Sequence, residues 1–318
     1  MSSKDLRVRL LGVLLAPSPS MSKMSHEQVV KLQQREFTHN RLTDFIFGSR
    51  VSGVSIEDRT IEGPGGALGL RIYTTGATGA PLVVFFHGGG FVLGSVGVND
   101  ALCTQMSAAI GAVVVSVGYR LAPLHPFPAA IEDSYAALVW AAEHAEELGA
   151  DGSRIGVVGD SAGGNLAAVV CLLARDRSGP QILHQALAYP AIDLSRAAQA
   201  ARPDVASPTL STADLEAYRK HYFHGQRPEA ADDPLASPIL AEDHHGLPPA
   251  LIQVAENDPL REDGLRYADV LRAAGVPVQF TEYAGMPHGF LAFPWFCKAA
   301  SGALAELCKE QKSALNAE

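Results

Sequence analysis

The sequence predicts an α/β fold: a mostly parallel central sheet covered by helices on both faces, with a helical cap. Two features carry this expectation. Short apolar runs alternate with helical patterns along most of the chain, and the runs are continuously apolar, as strands buried on both faces should be. One long excursion breaks the rhythm between about 191 and 247; it is rich in proline and holds a helical pattern of its own.

Taken in order, the chain opens with basic residues followed by LLGVLLA at 10–16 and then APSPS. That resembles a very short signal peptide. We read residues 1–24 as a disordered or extraneous tail, with Met21 or Met24 as alternative starts, and expect a cytoplasmic rather than a secreted protein. Residues 25–47 carry Val29, Leu32, Phe37, Leu42, Phe45 and Ile46 in short helical patterns, an arm lying over something else. Two strands should then meet at Gly63-Pro64-Gly65-Gly66, and 81–86 forms a central strand. A helix over about 98–110, a strand over 112–119 and a helix over about 131–148 follow. The strand over 154–158, the apolar helix over 164–175 and the strand over 182–190 complete the first half. Within the excursion, Ser211 or Thr212 should cap a helix running to Tyr222. The rhythm resumes with strands at 248–257 and 277–283, a helix over about 262–274 between them, and a final helix.

Bulk properties exclude several functions. The 318 residues are 47% hydrophobic, which suits one large domain with an insertion. A net charge of -9 gives no basic surface for nucleic acid. No run approaches the roughly 20 apolar residues of a transmembrane helix, so no stable membrane insertion is expected. The four cysteines are scattered and read as reduced thiols. No compact set of metal ligands occurs; neither metal nor cofactor is expected.

Chemistry concentrates in three places. Gly159-Asp160-Ser161-Ala162-Gly163 matches GxSxG, with a strand entering and a helix leaving. A serine at such a turn stands exposed at the carboxyl edge of the sheet, beside free N–H groups of the new helix. A serine nucleophile needs a base, and the base needs an acid to orient it. Asp258 ends the run LIQVAEND beyond one late strand, and His288 lies in a loop after the next. The order Ser161, Asp258, His288 is that of an α/β-hydrolase. Glu256 lies at the strand end, and Glu262 and Asp263 read as solvated acids of a helix start. His221, His224, His244 and His245 precede the acid and have the wrong chain order, while His125 and His184 read as structural or surface residues.

The third place is VVFFHGGGFVLGS at 83–95. Its glycines fit neither a dinucleotide fingerprint nor a phosphate loop. With a nucleophile downstream, two N–H groups from this loop and that of Ala162 suit the oxyanion of acyl transfer.

FFHGGGFVLG, GYRLAP with HPFPAA, GDSAGGNLA, YPAIDL, ENDPLREDG and MPHGF occur in that order. Together they resemble the hormone-sensitive-lipase-like family of α/β-hydrolase carboxylesterases, over about 25–312. The resemblance implies Ser161 as nucleophile, His288 as general base and Asp258 as its orienting acid. It implies oxyanion donors at Gly89, Gly90 and Ala162, a turn at Gly88, and support of the loop by His87 and Asp160. Leu124 stands where the family usually has a glutamate, which touches no catalytic assignment. The implied organisation is cap helices at 25–50, a catalytic domain at 51–191 and 247–318, and a cap insertion at 192–246. The expected activity is hydrolysis of short- to medium-chain carboxylic esters. Amidase or lactonase chemistry and a non-catalytic small-molecule binder are the alternatives. The expected partner is a small-molecule ester, and similar proteins often form homodimers. Among Phe91, Val92, Leu93, Phe290, Leu291, Phe37, Phe45, Tyr218, Tyr222 and Phe223, some should line an apolar acyl pocket.

Overall fold

The structure is a computed structural model and describes residues 5–16, 20–35, 37–205 and 207–317. Three helices come first: α1 (Leu6–Leu15), α2 (His26–Gln33) and α3 (Arg41–Phe47). Then follow β1 (Ser55–Gly63), β2 (Gly66–Thr74), β3 (Ala80–Phe86), α4 (Asp100–Met106), β4 (Val113–Gly118), α5 (Ala129–Glu143), β5 (Ala150–Asp160), α6 (Ala162–Asp176) and β6 (Ile182–Ala188). The excursion holds α7 (Arg196–Ala201) and α8 (Thr212–Tyr222), after which come β7 (Ala250–Asn257), α9 (Arg261–Ala273), β8 (Val278–Pro287) and α10 (Ala300–Leu315).

The strands form one eight-stranded sheet in the order β1-β2-β4-β3-β5-β6-β7-β8. Both pairings of β2 are antiparallel, and every other pairing is parallel. β3 shows why its sequence is uniformly apolar. Leu82, Val84 and Phe86 face the core shared with α5, α6 and α9, whereas Val83 and Phe85 face the core shared with α4 and α10. All seven residues of β3 are buried. The expected mostly parallel, doubly covered sheet is therefore observed, and Ser211 caps α8 by accepting the Asp214 N–H at 3.1 Å.

The start of the chain departs from expectation. The disordered or extraneous tail read over 1–24 is instead partly built into the molecule; its residues 1–4 and 17–19 lie outside the described residues. In α1, Asp5 accepts the Arg7 N–H as a cap, and Val8 and Leu11 are buried in the core beneath α10. A ten-residue helix is marginal alone. Burying a valine and a leucine, about 1.5–3 kcal/mol each, holds it in place. An apolar run short enough to read as a signal is equally able to pack. Among the described residues, no helix is long and apolar enough to cross a membrane.

Candidate active site

β5 delivers Ser161 to the carboxyl edge of the sheet, and α6 starts at the next residue. The turn is tight: Ser161 has φ 56° and ψ -118°, a conformation that non-glycine residues avoid. Hydrogen bonds hold it there. The Ser161 N–H donates to the Ala188 carbonyl at 2.9 Å, and the Ala191 N–H donates to the Ser161 carbonyl at 3.1 Å. The segment after β6 thus pins the turn from the side. Gly163 permits the turn's close approach to the end of β3, since a Cβ there would overlap the Phe86 carbonyl.

Asp258 follows β7 and His288 follows β8, so adjacent parallel strands bring the two together. An ionised carboxylate only accepts hydrogen bonds, so the imidazole Nδ1–H donates to Asp258 Oδ2, at 2.7 Å. Nε2 is then left as an acceptor, and the Ser161 hydroxyl donates to it at 2.8 Å. Asp258 Oδ1 accepts the Leu260 N–H at 2.8 Å, which fixes the carboxylate plane. The imidazole and carboxylate are both buried. This arrangement can draw the proton from the serine oxygen and stabilise the imidazolium so formed.

The glycine turn stands opposite. Gly89 and Gly90 have φ 117° and 64°, and the Val92 and Leu93 N–H groups close the turn by donating to the Gly89 carbonyl at 3.1 and 2.8 Å. A Cβ at Gly89 would overlap the Leu93 carbonyl, and one at Gly90 would meet the Tyr218 ring. Gly89, Gly90, Ser161 and Ala162 all line one cavity. As the first residue of α6, Ala162 has an N–H without an intrahelical partner.

Asp160, Gly88 and His87, the residues expected to support the loop, make contacts with one another and with their neighbours. Asp160 Oδ1 accepts the Gly88 N–H at 2.8 Å, tying the glycine turn to the nucleophile turn. Burial raises the Asp160 carboxyl to about 6, against the opposing pull of that N–H and of nearby His288. His87 stacks on Tyr119 with centroids 4.2 Å apart, and its Nδ1–H donates to the Gly88 carbonyl at 2.7 Å. Burial pushes His87 down to about 4, so it is neutral at ordinary pH. Its ring is thus held by the Gly88 carbonyl and by Tyr119.

The cavity has a volume of about 470 Å³. Of the aromatic and aliphatic candidates, Phe91, Leu93, Tyr218 and Tyr222 line it, whereas Val92, Phe290 and Leu291 are buried in the cores. Phe37 packs on Phe47 of the arm, Phe45 packs on Trp295 and Phe296, and Phe223 packs beside Tyr222.

Sequence reasoning missed three residues. Thr209 of the excursion donates to the His288 carbonyl at 2.7 Å, so the cap braces the histidine loop. Tyr189 sets its ring edgewise to the His288 imidazole with centroids 5.0 Å apart. Asp263, read as a solvated helix-start acid, is buried: it accepts the Ile192 and Asp193 N–H groups at 3.0 Å each and pairs with Arg202 at 2.6 Å. The excursion supplies that arginine, which is why the local helix-start pattern misled. Of the excursion's histidines, His221 and His244 are buried too, His244 bonding the Pro238 carbonyl at 2.9 Å. His245 is exposed beside Asp243.

Residues 83–292 match the family described as the alpha/beta hydrolase fold. Esterase LipI of Mycobacterium tuberculosis is 43% identical over 252 residues, 78% of each chain. Carboxylesterase NlhH of the same species is 41% identical over 268 residues, spanning 82% of this chain and 83% of its own. The hyperthermophilic esterase of the archaeon Pyrobaculum calidifontis superposes with a TM-score of 0.86 at 37% identity, covering 98% of this chain and 99% of that one. A matching family model over about two thirds of the chain, and esterase relatives that cover 78% of it or more, lead to one assignment: the chain belongs to the α/β-hydrolase-fold family, among its carboxylesterase and lipase-like enzymes.

Proposed function

We propose that the protein is a carboxylesterase of the hormone-sensitive-lipase-like type, cleaving short- to medium-chain esters through an acyl-enzyme on Ser161. The observation that carries this reading is the hydrogen-bonded chain from Asp258 through His288 to Ser161, opening into an apolar cavity beside a glycine turn. Ser161 Oγ attacks the ester carbonyl as its proton passes to His288 Nε2. The tetrahedral oxyanion is received by the N–H groups of Gly89, Gly90 and Ala162. His288 then returns the proton to the departing alkoxide, the C–O bond breaks, and the alcohol leaves. Water repeats the cycle on the acyl-enzyme, releasing the acid.

The glycine turn should be intolerant of small changes. Gly90→Ala forces a side chain into positive φ and against Tyr218, displacing a donor. Losing one oxyanion donor costs about 10²–10³-fold in kcat. We expect a fall of that order for Gly90→Ala with KM nearly constant, read from steady-state kinetics; an unchanged kcat would remove Gly90 from the oxyanion site.

Leu210, Leu215 and Tyr218 of the excursion bound the cavity, and its volume supports an ester of modest length. Rates measured over a series of acyl lengths should peak among short to medium chains. A peak found only with long, emulsified esters would overturn this choice of substrate. The four cysteines are buried and free, which supports a reducing, cytoplasmic setting.

A further inference from the structure

The apolar surface of this molecule is concentrated in one place. Nine large apolar side chains are exposed among the described residues, and seven of them lie on α1, on α3 or at Trp295. Single exposed leucines are ordinary; a cluster is not. On α1, Leu6 and Val13 are 67% and 71% exposed, and Leu10 and Leu14 are nearly half exposed. The three elements touch. The Arg7 guanidinium lies 5.2 Å over the Trp295 ring, and Trp295 packs on Phe45 with centroids 4.8 Å apart.

This patch adjoins the active-site entrance. Leu15 ends α1 and Phe47 ends α3, and both line the cavity that holds Ser161. A second cavity of about 290 Å³, between the end of α1 and the start of α8, shares Leu15 and Tyr218 with it.

Charge decides the occupant. The chain carries -9 overall, yet α1 reads LRVRLLGVLL, with Arg7 and Arg9 and no acid. Lys298, largely exposed, sits at its first turn, 3.4 Å from Asp5. A cationic apolar patch on an acidic protein suits an anionic lipid surface. In a two-fold pair of copies the same patch meets itself, setting these cations against one another. A tryptophan at the rim is at home at the headgroup level. With ten residues, about 15 Å long, α1 cannot span the roughly 30 Å hydrocarbon core and would lie in the plane of the interface.

We propose that α1, with Phe45 and Trp295, docks the protein peripherally on anionic lipid surfaces and turns the active-site entrance toward them. Esters dissolved in the lipid then reach Ser161 with little passage through water. The docking is independent of the catalytic assignments and is read without hydrolysis, so either can fail alone.

The test is co-sedimentation of the full chain with phosphatidylcholine vesicles, with and without phosphatidylglycerol. Wild type should pellet with the anionic vesicles, much less with phosphatidylcholine alone, and less at high salt. The double variant Leu10→Asp/Val13→Asp changes only exposed positions and should bind about tenfold more weakly or worse. Arg9→Glu keeps the apolar face and should lose about tenfold toward anionic vesicles only. Both variants should hydrolyse a water-soluble acetate ester at the wild-type rate, and the double variant should be slower on a vesicle-borne ester. Wild type left in the supernatant, or both variants pelleting as well as wild type, would overturn the proposal. So would a wild-type dimer that the double variant dissociates while neither binds vesicles.

Discussion

Ser161→Ala should lower kcat by about 10⁴-fold or more, equivalent to about 5 kcal/mol of transition-state stabilisation, while KM and melting temperature should stay close to wild type. The size follows from the geometry. The hydroxyl is the group whose proton is held at His288 Nε2, at 2.8 Å, and alanine removes it. The fold should survive because alanine keeps the Cβ, and the hydrogen bonds that hold the turn belong to the backbone. Alanine also tolerates φ 56° no worse than serine does, so the strain is unchanged. Two measurements check this. Steady-state kinetics give the loss, and a fluorophosphonate probe followed by peptide mapping should label the peptide containing Ser161 in wild type and nothing there in the variant. A variant with the wild-type rate, or label found on another residue, would remove Ser161 from the nucleophile's role.

The parts of the site that were legible in the sequence are those whose chemistry is written locally. Gly159 to Gly163 sit between an apolar strand and an apolar helix, so the turn and its exposed serine follow from neighbours in the chain. Asp258 and His288 each close a strand, and parallel strands deliver their carboxyl ends to one edge; chain order alone then placed both beside Ser161. Thr209 was not legible, because it acts through a contact with His288, about 80 positions away, and nothing in the proline-rich excursion reveals how it folds back. Asp263 was misread for the same reason, since its partners Ile192, Asp193 and Arg202 come from that excursion. α1 was misread because a short apolar run carries no sign of whether it is removed, frays or packs; the burial of Val8 and Leu11 depends on residues near the other end of the chain.

Asp258→Asn tests the least visible part of the catalytic arrangement, and we expect a fall in kcat of about 10⁴-fold with the fold intact. Asp258 Oδ1 accepts the Leu260 N–H at 2.8 Å while Oδ2 accepts the His288 Nδ1–H at 2.7 Å. In the variant the amide has one acceptor and one donor end. Its oxygen is retained by the Leu260 N–H, a fixed backbone donor, so its NH₂ points at His288. The imidazole answers by accepting at Nδ1, which moves its own proton to Nε2. The Ser161 hydroxyl then faces an N–H instead of a lone pair and loses its base, although every heavy atom is in place. The neighbouring acid is the control. Glu256 is exposed, and its carboxylate accepts the Gly285 N–H at 2.6 Å, away from the imidazole. Glu256→Gln should therefore change kcat by no more than about twofold, the effect of one exposed hydrogen bond worth a few tenths of a kcal/mol. Steady-state rates of the two variants, with melting temperatures to verify folding, decide between the carboxylates. A large loss with Glu256→Gln and a small one with Asp258→Asn would reverse the assignment.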